Sequence, residues 1–118
     1  MSMTDRIAKA RKTFDYIFNT KAALNMAALF ADGTEYYRSP AEIAKGENVT
    51  LRFRTGADNV DRVYLICNGD RHLMRVTEKD NLFDYYSFTV ESVDEELNYY
   101  FEIQAGNIIC YYNKLVSQ

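Results

Sequence analysis

The chain has no tryptophan, one proline, one histidine and two cysteines among its 118 residues. Each scarcity closes off a reading. His72 stands alone and no cysteine pair has zinc spacing, so a His/Cys metal centre is not expected. Cys67 and Cys110 lie among apolar neighbours, which suits reduced, buried thiols; a disulfide between neighbouring strands is the other reading. No apolar run approaches the ~20 residues of a membrane span, so no membrane partner is expected. The opening Met1-Ser2-Met3-Thr4-Asp5-Arg6 lacks the apolar stretch of a signal peptide, and the expected location is the cytoplasm. Positive charge is not in excess either. A net charge of −3 argues against a nucleic-acid partner, whose phosphates must be neutralised. Gly106 is followed by Asn107-Ile108 with no second glycine, so no phosphate-cradling loop and no cofactor are predicted.

What the chain does have is aromatic side chains of one kind: ten tyrosines and seven phenylalanines, a composition that favours strands. The stretch from Asn48 to Asn68 organises the rest. Val49, Leu51 and Phe53 alternate with Thr50, Arg52 and Arg54, the period of a half-buried strand. Thr55 to Asn59 supplies turn residues. Val60 to Cys67 then carries Val63, Leu65 and Cys67 on one face and Tyr64 and Ile66 on the other, as a strand inside a sheet would. The expectation is a central hairpin.

Ahead of it, Thr4 to about Thr20 reads as an amphipathic helix, with Ile7, Ala10, Phe14, Ile17 and Phe18 on one stripe. Thr4 suits its cap. A first strand is expected near Met26–Phe30, then a long connection over Glu35–Glu47 holding Pro40. After Asn68-Gly69-Asp70, a turn signal, follow a modest strand over Arg71–Thr77, with Leu73 or Met74 inward, and a clear one over Leu82–Val90. His72 reads as a loop residue without a ligand role. Leu97, Tyr99, Phe101 and Ile103 form the cleanest alternation, and Gly106-Asn107 turns the chain into Ile108–Tyr112. About seven to eight short strands with regular turn signals predict an all-β, antiparallel β-sandwich over residues 22–118, preceded by a helical arm over residues 1–21.

Four segments in order carry a resemblance: Leu51-Arg52-Phe53-Arg54-Thr55, Val60-Asp61-Arg62-Val63-Tyr64-Leu65, Leu82-Phe83-Asp84-Tyr85-Tyr86, and Leu97-Asn98-Tyr99-Tyr100-Phe101-Glu102-Ile103. The succession resembles carbohydrate-binding module family 34, the N-terminal domain of neopullulanases, cyclomaltodextrinases and maltogenic amylases. The resemblance implies an immunoglobulin-like sandwich in front of a glycoside hydrolase family 13 barrel that cleaves α-glucans. Such a barrel takes about 250 residues, so this chain holds none. It implies a non-catalytic accessory domain whose partners are the downstream barrel, a second copy in a homodimer, and an α-glucan such as starch, pullulan or cyclodextrin. Dimeric members carry a longer aromatic loop where Gly69-Asp70 here runs straight into Arg71-His72-Leu73. A stand-alone immunoglobulin-like interaction module without a sugar role is the alternative.

Four tyrosine doublets stand out: Tyr36-Tyr37, Tyr85-Tyr86, Tyr99-Tyr100 and Tyr111-Tyr112. Neighbours on a strand point to opposite faces, so Tyr86 and Tyr99 are expected in the core and Tyr85 and Tyr100 outside. If their strands are neighbours, the outer rings form a strip. Tyr85, Tyr100 and Tyr111 are the candidate carbohydrate-binding residues, because sugar C–H faces stack on aromatic rings. The other reading buries these rings against the barrel or the N-terminal helix. No catalytic residue is predicted. Asp61 and Asp84 invite comparison with a glycosidase carboxylate pair, but the resemblance places the acids in the barrel. Asp80, Asn81 and Asp84 read as a solvated acidic loop rather than a calcium site.

Overall fold

The computed structural model describes residues 23–94 and 96–113. The expected helical arm over residues 1–21 lies outside them. Among the described residues eight strands form: β1 (Arg38–Ser39), β2 (Glu47–Gly56), β3 (Arg62–Cys67), β4 (Asp70–Leu73), β5 (Arg75–Lys79), β6 (Phe83–Val93), β7 (Tyr99–Ala105) and β8 (Ile108–Tyr112). They make two antiparallel four-stranded sheets, ordered β1-β2-β6-β5 and β4-β3-β7-β8. The all-β sandwich expected from the alternation is present. Near the start of the described chain a single 3-10 turn over Met26–Ala28, followed by an isolated bridge from Phe30 to Arg54, stands in place of the expected first strand.

The core lies where the two sheets face. From the first sheet come Val49, Leu51 and Phe53, and from the second Val63, Leu65, Phe101 and Ile103, all essentially inaccessible. Their alternation with polar residues fixes which face of each strand turns inward, because a slip of one residue would flip every side chain. Phe53 meets Phe101 across the gap with ring centroids 4.6 Å apart. Tyr86, Phe88 and Val90 lie opposite Phe53, Leu51 and Val49 in the β2–β6 register, on the inner face as expected.

Two expectations need correction. The stretch Asn48–Asn68 is not a hairpin. β2 pairs with β6, β3 pairs with β4 and β7, and the segment between them crosses from one sheet to the other. Its residues are drawn inward: Asn59 and Val60 are buried, and the Asn59 side chain ties down the preceding chain. Asn59 Oδ1 accepts the Asn25 amide at 2.7 Å, and its Nδ2 donates to the Ala23 carbonyl at 3.1 Å. An exposed hairpin turn has no such anchors.

Nor is Arg71–Thr77 one strand. The run breaks at Met74, which is buried, and its amide donates to the Val63 carbonyl at 2.9 Å. β4 belongs to one sheet and β5 to the other. His72, read as a loop residue, lies on β4 opposite Leu65, and its ring stacks on Phe88 of the other sheet at 4.6 Å.

Candidate functional site

Strand parity and sheet order decide where the tyrosines stand. Tyr86 is buried and Tyr99 packs partly against the core, as the doublet argument required. Burial raises the pKa of both phenols, because a phenolate loses more hydration than a phenol. Tyr85 and Tyr100 point outward, but from different sheets, since β6 and β7 are not neighbours. The expected strip joining them therefore does not form. The physical reason is that the chain changes layer between the end of β6 at Val93 and the start of β7 at Tyr99, so these consecutive strands belong to opposite sheets.

Two separate aromatic surfaces result. On the first sheet, Tyr85 meets Tyr36 edge-on at 5.7 Å, and Tyr36 meets Tyr37 at 5.0 Å. Cations cover Tyr36 and the neighbouring phenylalanines. Arg52 lies 4.7 Å from the Tyr36 centroid, and Arg54 lies between Phe83 at 4.2 Å and Phe30 at 5.2 Å. Arg54 Nε also donates to the Ala28 carbonyl at 3.0 Å, and the Tyr36 hydroxyl donates to Glu78 at 3.1 Å. Desolvation, and then the hydrogen bond to Glu78, push the Tyr36 phenol up. This surface is internally committed: its rings and guanidiniums already satisfy one another.

The outer face of the second sheet differs. The β7–β8 register sets Tyr111 opposite Glu102, and Tyr100 is its diagonal neighbour, with centroids 5.9 Å apart at 69°. Tyr100 is 37% and Tyr111 62% exposed. Among the described residues no cation stacks on either ring. Arg71 instead lies over Tyr64 at 3.7 Å and binds Glu102. Beside Tyr100 is a shallow, open depression of about 300 Å³, lined also by Ile66, Asn68, Asn98 and Tyr99. Its rim is held by Asn68 and Asn98. The Asn68 amide donates to the Asn98 carbonyl at 2.8 Å, and the Asn98 amide donates to Asn68 Oδ1 at 3.0 Å. Rings that stack, hydroxyls that donate and accept, and amides at the rim can together hold a polyhydroxylated ligand. Spacing alone missed Asn68, which read as a turn residue, and Asn98, which fell within the Leu97–Ile103 alternation; only their pairing between the end of β3 and the start of β7 brings them to Tyr100.

The remaining candidates have structural duties. Asp84 is buried, accepts the Asp58 amide at 3.0 Å and lies 2.9 Å from Lys79 Nζ. Asp61 accepts the Gly106 amide at 2.7 Å. Asp80 Oδ1 accepts the amides of Leu82 and Phe83 at 2.8 and 2.7 Å, which closes its turn. Among the described residues no group of three or more His, Cys, Asp or Glu is placed to hold a metal ion. Cys67 and Cys110 form no disulfide among the described residues and lie on β3 and β8, strands separated by β7. Among the described residues no helix is long and apolar enough to cross a membrane.

Comparison with known proteins assigns two facing antiparallel sheets in this strand order to a family. A family model described as the alpha amylase N-terminal Ig-like domain matches residues 35–115. The chain belongs to that family. Among solved structures, a cyclomaltodextrinase is similar to this Ig-like domain with a TM-score of 0.63 and 22% sequence identity. The match covers 74% of this chain and 16% of the cyclomaltodextrinase chain. At that identity the likeness bears on the fold, and the Ig-like domain spans a small fraction of that protein's length. No curated protein matches.

Proposed function

We propose that this Ig-like domain is a non-catalytic accessory module of an amylase-family glycosidase, and that it touches α-glucan chains through Tyr100 and Tyr111. Membership of an alpha amylase N-terminal domain family supports the first half, together with the small share of a cyclomaltodextrinase that the domain spans. The carrying observation for the second is the contrast between the two aromatic surfaces. On the first sheet Arg52 caps Tyr36 and Arg54 caps Phe30 and Phe83, whereas among the described residues no cation stacks on Tyr100 or Tyr111, and Tyr100 borders the depression rimmed by Asn68 and Asn98. Tyr85, on the opposite sheet, takes no part in that platform. Packing against the catalytic body of the parent enzyme is the module's second task.

Two stacked rings contribute roughly 0.5–1.5 kcal/mol each beyond burial, and the apolar sugar area they cover must supply the rest of the ~4 kcal/mol of a millimolar complex. Titration with maltoheptaose and β-cyclodextrin, followed by tyrosine fluorescence, is expected to saturate in that range. Tyr100→Ala is expected to abolish the response and Tyr36→Ala to preserve it. No response at millimolar sugar, or a response that survives Tyr100→Ala, would confine the domain to packing.

A further inference from the structure

Two open sheets have four edges, and the unpaired backbone groups along an edge invite another strand. Three edges here are blunted. β1 is two residues long and ends at Pro40. β4 is four residues long and carries Asp70 and Arg71. β5 is exposed throughout, carries Arg75, Glu78 and Lys79, and is interrupted by a bulge between Val76 and Glu78. β8 has none of these devices. Ile108, Ile109, Cys110, Tyr111 and Tyr112 include no charge and no proline, and their register with β7 is unbroken. Ile108, Ile109 and Tyr111 are 50%, 56% and 62% exposed.

We infer that the open edge of β8 pairs antiparallel with the same edge of a second copy of this chain, across a two-fold axis at Cys110. The turn geometry sets the register. Gly106-Asn107 is a two-residue loop with Gly106 at φ +62° and Asn107 at negative φ, the signature of a type II′ hairpin. Such a loop closes on a hydrogen-bonded pair, Ala105 with Ile108, so Ile108, Cys110 and Tyr112 spend their backbone groups on β7. The N–H and C=O groups of Ile109 and Tyr111 therefore point away from the sheet. Among the described residues, no backbone hydrogen bond from elsewhere in the fold reaches them. Antiparallel pairing about Cys110 matches Ile109 of each copy with Tyr111 of the other through both bonds. It also sets isoleucine against tyrosine, a favourable cross-strand pair.

A second copy is the occupant that fits because β8 is uncharged. Paired with itself it opposes no like charges, whereas β4 or β5 would bring charged side chains against an apolar strand. A single strand pair buries less than the ~1,200 Å² of a standard interface, so the association is weak and concentration-dependent. The inference does not rest on glucan binding.

Sedimentation of the full 118-residue chain across the micromolar to millimolar range is expected to show reversible doubling of mass. Ile109→Pro removes one outward amide and no bond to β7, and is expected to weaken association about tenfold or more while the thermal melt is retained. Ile109→Lys, a second variant at an exposed site, is expected to weaken it as well, because the two lysines become diagonal neighbours. A diamide oxidant, which takes up the two thiol hydrogens, is expected to link the copies through Cys110: the product should form with Cys67→Ser and not with Cys110→Ser. A chain that stays monomeric to millimolar concentration, a dimer indifferent to both Ile109 variants, or a link through Cys67 overturns the inference.

Discussion

Arg71 reaches from β4 across the whole width of β3 to hold Glu102 on β7. Its Nε and Nη2 donate to the two carboxylate oxygens at 3.3 and 3.0 Å, and its guanidinium lies on the Tyr64 ring as it passes. Gln104 Nε2 donates a further bond to Glu102 at 2.7 Å. One carboxylate thus ties three strands of the outer face together, directly beside Tyr111.

The Arg71 hydrogen bonds, followed by that of Gln104, hold the Glu102 carboxyl below the ordinary carboxylate range against the opposing effect of burial. A depressed carboxyl stabilises the fold above its unfolded pKa of ~4.3 and loses that contribution as pH falls through the folded value. Arg71→Ala is therefore expected to raise the Glu102 titration midpoint, read by carboxyl NMR shifts. Glu102→Gln is expected to flatten the dependence of Tm on pH on the acid side of ~4.3. An unmoved midpoint in Arg71→Ala would show that the bidentate pair is not formed in solution.

Phe53 and Phe101 join the two sheets at their centre. Either residue changed to Ala is expected to cost about 3–5 kcal/mol, because the transfer free energy is lost and the cavity between two rigid sheets collapses poorly. Urea unfolding with an unchanged m-value is the measurement.

Asp84 holds the start of the crossing segment through the Asp58 amide, and Asp58 itself sits at φ +51°. Replacing buried Asp84 with Ala leaves that amide without its acceptor and is expected to cost about 1–3 kcal/mol. Asp84→Asn, which keeps an acceptor oxygen, is expected to recover part of it. Equal losses in both variants would place the effect in the charge facing Lys79 rather than in the amide bond.

The two thiols differ in access. Cys67 is 4% exposed, whereas Cys110 is half-buried and its pKa is raised by desolvation. A thiol reagent at neutral pH is expected to label Cys110 first, more slowly than a free cysteine because less thiolate is present. Cys67 should react only on unfolding. Simultaneous labelling would mean that the inner face of β3 opens to solvent.

Much of this was legible in the chain because alternation reports which face of a strand is apolar. Val49, Leu51, Phe53, Phe101 and Ile103 were readable as core on that ground alone, and so were the opposed directions within Tyr85-Tyr86 and Tyr99-Tyr100. Alternation is silent on which strand lies beside which. A crossing between sheets and a hairpin turn use the same residue types, so Gly56 to Asp61 could not reveal that β2 and β3 part company. The Tyr85–Tyr100 strip failed because β6 and β7 part company in the same way, while Tyr100 and Tyr111 fell together because β7 and β8 are joined by a two-residue loop whose chemistry leaves little freedom. Asn68 and Asn98 were invisible as a pair, since thirty positions separate them along the chain.

Met74 carries a mechanical consequence. One buried residue is all that separates a strand of one layer from a strand of the other, and its amide is bonded to Val63. Peeling either layer away tugs on the other at once, with no slack to absorb the pull. The sandwich should accordingly come apart in a single step, without a half-undone species that keeps one layer intact.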